Sequence, residues 1–270
     1  MHKVGDGNCR IVPKSASWSK AMEIGSSQIN QNSTYSHVWD YLNVNNQKWY
    51  FDKGKVWTNS NANVNSTYNG KAAATWAATH AITYNAGYLM EDTPGFAWAV
   101  SNCVNFASAS MYYKGGMSQI TGSQTSTSSW YYATKILGTS RNNSSDTWLL
   151  SESFAQHFGH NANNQRGYRT IVYPSMQSVL DDWTTVFENL HPGDIIQFTD
   201  GPSSDEPLKA FHTGIVIIRE ASTNPPSIVY AQHSANQPDY TVYELRARLQ
   251  TLKNAGRDYG IILHRIKRES

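Results

Sequence analysis

Ser101-Asn-Cys-Val-Asn-Phe-Ala-Ser-Ala-Ser-Met-Tyr-Tyr-Lys-Gly-Gly116 reads as a helix with both ends marked. Ser101 or Asn102 can cap its start, and Gly115-Gly116 can stop it. Between them Phe106, Ala107, Ser110 and Met111 form a narrow inner stripe, which buries one side. Cys103 then sits in the first turn of a buried helix. A helix start carries roughly half a positive charge and N–H groups without partners. Both favour a thiolate over a thiol, and both suit an oxyanion placed beside them.

On the N-terminal side, Ala72 to Met90 is Ala-rich, with Trp76, His80, Tyr84 and Tyr88 four apart, the spacing of one helix face. On the C-terminal side, Ser175 to Leu190 carries Val179, Trp183, Val186 and Leu190 and reads as one helix. Four strands follow His191-Pro-Gly: Asp194–Thr199, His212–Arg219, Ser227–Gln232 and Gly260–Lys267, as in an antiparallel meander. Residues 117–170 are polar and read as loops and short helices over the core. The chain is therefore expected to be α+β, with the cysteine-bearing helix packed on an antiparallel sheet. Residues 1–70 read as an irregular Trp- and Asn-rich extension, with Lys48–Asp52 and Gly54–Thr58 as possible strands, and residues 71–270 as the domain proper.

His212 opens one strand and His233 ends the next. In an antiparallel pair, the start of one strand lies beside the end of its neighbour. Cys103, His212 and His233 therefore suggest a nucleophile, a general base and a group that orients the base. The geometry expected is a sulfur within roughly 4 Å of a His212 nitrogen, with His233 at the other nitrogen. Asn236 is the alternative third member. Cys9 is not expected to bridge to Cys103, because that bond would consume the nucleophile. Trp130, Tyr131, Tyr132 and Trp148 suit the lining of a substrate groove and the filling of a core equally. Asp194, after Pro-Gly, fits a turn. His80 and His264 read as packed structural histidines. His157-Phe-Gly-His160 lacks an accompanying carboxylate motif, and no Cys-x-x-Cys occurs, so no metal is expected.

Composition narrows the function classes. Twenty-two Lys and Arg against 20 Asp and Glu leave a net charge of +2, too little for a nucleic-acid-binding stripe. No apolar run reaches the length of a membrane span. Asn and Ser number 23 and 30, more together than the 42 charged residues, and Trp and Tyr number 9 and 16. A neutral, polar, aromatic surface suits work outside a cell on glycans or short peptides. The N-terminal residues do not form a secretory signal, so the expected location, secreted or at the cell wall, implies a removed signal or another export route.

Asn102-Cys-Val-Asn-Phe-Ala-Ser, Tyr113-Lys-Gly-Gly, Trp130-Tyr-Tyr, Gly193-Asp194, His212-Thr-Gly-Ile-Val and His233-Ser resemble, in order, the bacterial putative amidase domain family. Asn102 stands where that family has an acidic residue, and Ala109 where it has glutamine. The resemblance implies kinship with the NlpC-type and CHAP cell-wall hydrolases and a papain-like core. It also implies Cys103 as nucleophile, His212 as base and His233 as orienter, with Asn102, Trp130, Tyr131 and Trp148 near the substrate. The activity implied is amide hydrolysis through a thioester, in the peptide part of peptidoglycan, without a cofactor. Two other readings stay open: an effector toxin that transfers acyl groups or deamidates a protein and is paired with an inhibitor, and a wall-binding domain without catalysis.

Overall fold

The computed structural model describes residues 55–82, 103–133, 144–159, 166–200, 209–233, 241–257 and 259–268, together with the backbone of four short strands before them. The chain divides into two compact units, Met1–Asp52 and Lys53–Ser270. The smaller holds two antiparallel pairs: β1 (His2–Gly5) with β2 (Asn8–Arg10), and β3 (Lys20–Ile24) with β4 (Ser36–Asp40).

The larger unit is built on a seven-stranded antiparallel sheet. Its strands are β5 (Lys55–Thr58), β6 (Arg169–Tyr173), β7 (Ile195–Asp200), β8 (His212–Glu220), β9 (Ser227–Gln232), β10 (Thr241–Glu244) and β11 (Tyr259–Arg265), in the order β10-β9-β8-β7-β11-β6-β5. The expected meander is present over β7 to β9, and β10, a strand the sequence did not suggest, extends it. The last strand does not extend it, but inserts between β7 and β6.

Helices cover both faces of this sheet. Against one lie α1 (Gly70–Ile82), α2 (Cys103–Tyr113), α3 (Asp146–Leu149) and α4 (Ser151–Phe158), whose apolar side chains share a core with Ile195, Ile215 and Ala231. Against the other lie α5 (Met176–Asp181), α6 (Trp183–Asn189) and α7 (Leu245–Asn254), which share a second core with Ile196, Phe198, Val216, Tyr230, Ile261 and Leu263. The double cover explains unbroken apolar runs such as Ile195-Ile196 and Ile261-Ile262-Leu263. Successive side chains leave a strand on opposite sides, and here each side is buried.

Three local expectations change. The helix expected over Ser175–Leu190 is two helices, because Asp182 leaves helical geometry at φ −102°, ψ 28°. Its carboxylate accepts hydrogen bonds from the Tyr173 and Thr185 hydroxyls, at 2.9 and 2.8 Å. Residues 117–170 supply a strand as well as short helices, since β6 begins at Arg169. Helix α1 starts two residues before its Ala-rich stretch, where Asn69 caps it by accepting from the Ala72 N–H at 3.0 Å. The continuation of that helix over 83–90 falls outside the described residues.

Helix α2 keeps its predicted stop. Gly116 takes φ +68°, and Met117 N–H donates to the Met111 carbonyl at 3.1 Å. Burial, however, reaches well beyond the expected stripe, since Cys103, Val104 and all of Phe106–Met111 are buried. Its small residues, Ala107, Ser108, Ala109 and Ser110, let sheet and neighbouring helices approach from several sides. Asp194 serves the turn before β7, accepting from the His191 and Ile266 N–H groups at 2.8 and 2.9 Å.

Candidate active site

Cys103 is the first residue of α2 and is completely buried. It is not in a disulfide. The ring of His212, the first residue of β8, is half-buried, and its interaction with the Cys103 thiol raises its pKa. The other contact of that ring is with a glutamine: Nε2 lies 2.6 Å from Gln232 Oε1. Nε2 donates there, because an amide oxygen only accepts, so Nδ1 is the nitrogen available to the sulfur. Burial alone would lower the pKa of this ring. The hydrogen bond and charge at Cys103, with the Gln232 bond, outweigh burial and raise it, while Arg248 opposes them.

His233 does not take the expected place as third member. It meets the His80 carbonyl at 3.3 Å and stacks on Phe106 with ring centroids 4.0 Å apart. Burial, followed by the nearby His80, pushes it down to about 4, although the His80 carbonyl raises it in part. The sheet register gives the reason. Ile215 pairs with Ala231, so the next pair outward sets Gln232 opposite Gly214. Gln232 thus shares a side with Gly214 and, two residues back, His212. His233 falls on the other side, where its ring lies on Phe106. Gln232 is the last residue of the strand expected over Ser227–Gln232, and the strand period of two, counted from the register, puts it on the His212 side.

Ser151, the first residue of α4, is a second partner that the sequence did not suggest. Its Oγ is 3.6 Å from Cys103 Sγ and 3.2 Å from Thr213 Oγ1. Gln197 Nε2 donates to Thr213 Oγ1 at 2.9 Å and to the Ser151 carbonyl at 3.0 Å. Gln197 Oε1 accepts from His264 Nε2 at 2.8 Å. His264 is structural, as expected, but within a polar network that runs to the sulfur.

The aromatic candidates divide. Trp130 and Trp148 do not line a groove. Both are core residues, with rings 4.5 Å apart and indole N–H groups satisfied by Ser108 Oγ and Asn105 Oδ1 from α2. They wedge α2 against the polar segment that follows it. Tyr131 is half-buried, and its backbone N–H bonds to Ser145 Oγ. Asn102, Asn236 and His160 fall outside the described residues. His157 is buried with Nδ1 on the Thr127 carbonyl at 2.6 Å and Nε2 facing the Arg166 guanidinium. Burial and then that cation push it down to about 3. Among the described residues, no group of three or more His, Cys, Asp or Glu side chains could hold a metal ion. No described helix is long and apolar enough to cross a membrane.

Neither the curated proteins nor the solved structures include a significant match to this chain. One family does match, over residues 67–255, a span that holds Cys103, Ser151, His212 and Gln232 and begins one residue before the buried Tyr68. On that match, which covers more than half of its length, the chain belongs to the putative amidase domain family.

Proposed function

We propose that the chain is a cysteine amidase with a papain-like core, which cleaves an amide bond in the peptide part of bacterial peptidoglycan through a thioester. The observation that carries this reading is a cysteine at a helix start interacting with a histidine at a strand start, His212, whose Nε2 is held by Gln232. Family membership supports amide chemistry in general. The composition, neutral, polar and aromatic, supports a peptide or glycan substrate met outside the producing cell.

The mechanism follows from those contacts. His212 Nδ1 takes the thiol proton, and the thiolate attacks the amide carbonyl. Charge gathers on the carbonyl oxygen beside the helix start, where backbone N–H groups and the helix dipole oppose it. The imidazolium then gives its proton to the departing amine. Water, deprotonated by the same ring, releases the acyl group from sulfur. Gln232 holds the ring in the tautomer and orientation that each step requires, the role the sequence suggests for His233. Because Cys103 is fully buried and His212 half-buried, the carbonyl enters beside the imidazole.

Purified muropeptides, separated and weighed by mass spectrometry after incubation, test the reading and identify the bond. Cys103→Ala is expected to abolish cleavage with the fold intact, and His212→Ala to do nearly the same. Wild-type cleavage by Cys103→Ala would overturn the mechanism, and intact muropeptides after incubation with the wild-type protein would overturn the substrate.

A further inference from the structure

The polar network behind Cys103 has a direction, and its direction can be deduced from acceptors that cannot donate. The Ser151 carbonyl lies 3.0 Å from one terminal atom of the Gln197 side chain, so that atom is the nitrogen. The Gln197 oxygen therefore faces His264 Nε2 at 2.8 Å, and Nε2 must carry the proton. His264 is fully buried, and burial pushes its pKa down to about 3, so the ring is neutral and Nδ1 is an acceptor. Nδ1 faces Thr170 Oγ1 at 3.3 Å, a hydroxyl whose proton is shared between this nitrogen and the Phe158 carbonyl at 3.5 Å. The second amide proton of Gln197 goes to Thr213 Oγ1 at 2.9 Å.

Two hydroxyl protons remain to be assigned. Thr213 and Ser151 lie 3.2 Å apart, and each is buried. If Ser151 donated to Thr213, the Thr213 proton would be buried with no acceptor, which costs more than the bond returns. The opposite sense satisfies both: Thr213 donates to Ser151, and Ser151 donates to the sulfur 3.6 Å away. The bonds then run one way, from His264 in β11 through Gln197, Thr213 and Ser151 to Cys103 in α2, each donor polarising the next.

We infer that Ser151 is a further catalytic residue, whose hydroxyl donates to the Cys103 sulfur and stabilises the thiolate, with Gln197, Thr213 and His264 as positioning residues that fix its proton. The inference rests on the proposed nucleophile for its catalytic meaning, but not for its chemistry. A hydroxyl locked as a donor favours the charged sulfur over the neutral thiol, which needs no such donor. His212 alone would hold the thiolate only while protonated. Ser151 adds a neutral donor that does not titrate.

The full chain carrying Cys9→Ser leaves Cys103 as the single cysteine, and its Cβ carbon resonance reports sulfur ionisation without requiring a reagent to reach a buried atom. The Cys103 titration midpoint is expected to rise by about one pH unit in Ser151→Ala, the size of one hydrogen bond to a charged group. Ser151→Thr, which restores the hydroxyl, is expected to return it to within a few tenths of a unit. An unshifted midpoint in folded Ser151→Ala would overturn the inference. Should that variant not fold, imidazole nitrogen shifts of the unsubstituted protein decide the matter: His264 protonated at Nε2 supports the direction, and protonation at Nδ1 overturns it. If Cys103→Ala still cleaved muropeptides while Ser151→Ala shifted the midpoint, the nucleophile would fall and the thiolate donor would stand.

Discussion

At the scale of single residues, the site depends on which of two neighbours faces His212. Gln232→Ala removes the acceptor of the Nε2 proton and is expected to lower kcat/KM about ten- to hundredfold. It also removes an influence that raises the His212 pKa, so the acid limb of the pH–rate profile, where the base becomes protonated, should move to lower pH. Gln232→Glu, which keeps an acceptor there, should restore most of the rate. His233→Gln is expected to cost stability, because the ring stacks on Phe106, while leaving turnover within about threefold. Kinetics of the three variants across pH would settle the assignment; a larger loss in His233→Gln than in Gln232→Ala would return the orienting role to His233. This pair also shows what a linear sequence conceals. Histidine is the residue type associated with catalysis, and a glutamine one position away attracts no notice until the register is known.

At the scale of elements, two glycines separate backbone strain from crowding. Gly116 ends α2 at φ +68°, and an added Cβ would meet nothing within 4 Å. Gly116→Ala should therefore cost only the left-handed penalty, about 1 kcal/mol. Gly193, before β7, has φ +95°, and its added Cβ would lie 2.3 Å from the Gly70 Cα at the start of α1. Neither backbone can yield without moving its element, so Gly193→Ala should cost about 3 kcal/mol or more. Urea unfolding measures both, and equal costs would mean that the contact between Gly70 and Gly193 relaxes freely. The sequence offers Gly115-Gly116 as a helix stop, and that reading holds. It offers Gly193 only as part of a turn, since contact with a residue 123 positions earlier has no local signal.

At the scale of the whole molecule, buried neutral histidines link stability to pH. His157 and His264 are held down to about 3 and His233 to about 4, against an ordinary 6.5, with burial the largest cause for each. Unfolding lets each take up a proton below about pH 6.5, so the unfolded state binds more protons there and stability falls as pH falls. The loss runs from about 6.5 down to the folded values and amounts to about 1–2 kcal/mol per histidine at pH 5. His212 works the other way: its raised pKa gives stability that is present below the ordinary value and lost as pH rises through the folded value. Three groups against one predict net acid destabilisation. Urea midpoints at pH 7, 6 and 5 should fall steadily, and His157→Gln, which cannot take up a proton, should flatten the slope by about one proton. A flat profile in the wild-type protein would show that these rings are protonated in the folded state.

The local half of this protein is legible in its residues. The ends of α2, the apolar runs of β7 to β9 and β11, and the placing of Cys103 at a helix start and His212 at a strand start are all written within a few neighbouring residues. Caps, breakers and hydrophobic periods act over that distance. The rest follows from packing between distant segments. That packing inserted β11 between β7 and β6, turned Trp130 and Trp148 into the packing of α2, chose Gln232 over His233 through one pairing register, and brought Ser151 to the sulfur from 48 residues away. Those choices depend on which surfaces are buried together, and a buried polar atom takes whichever partner the packing delivers, however distant in the chain.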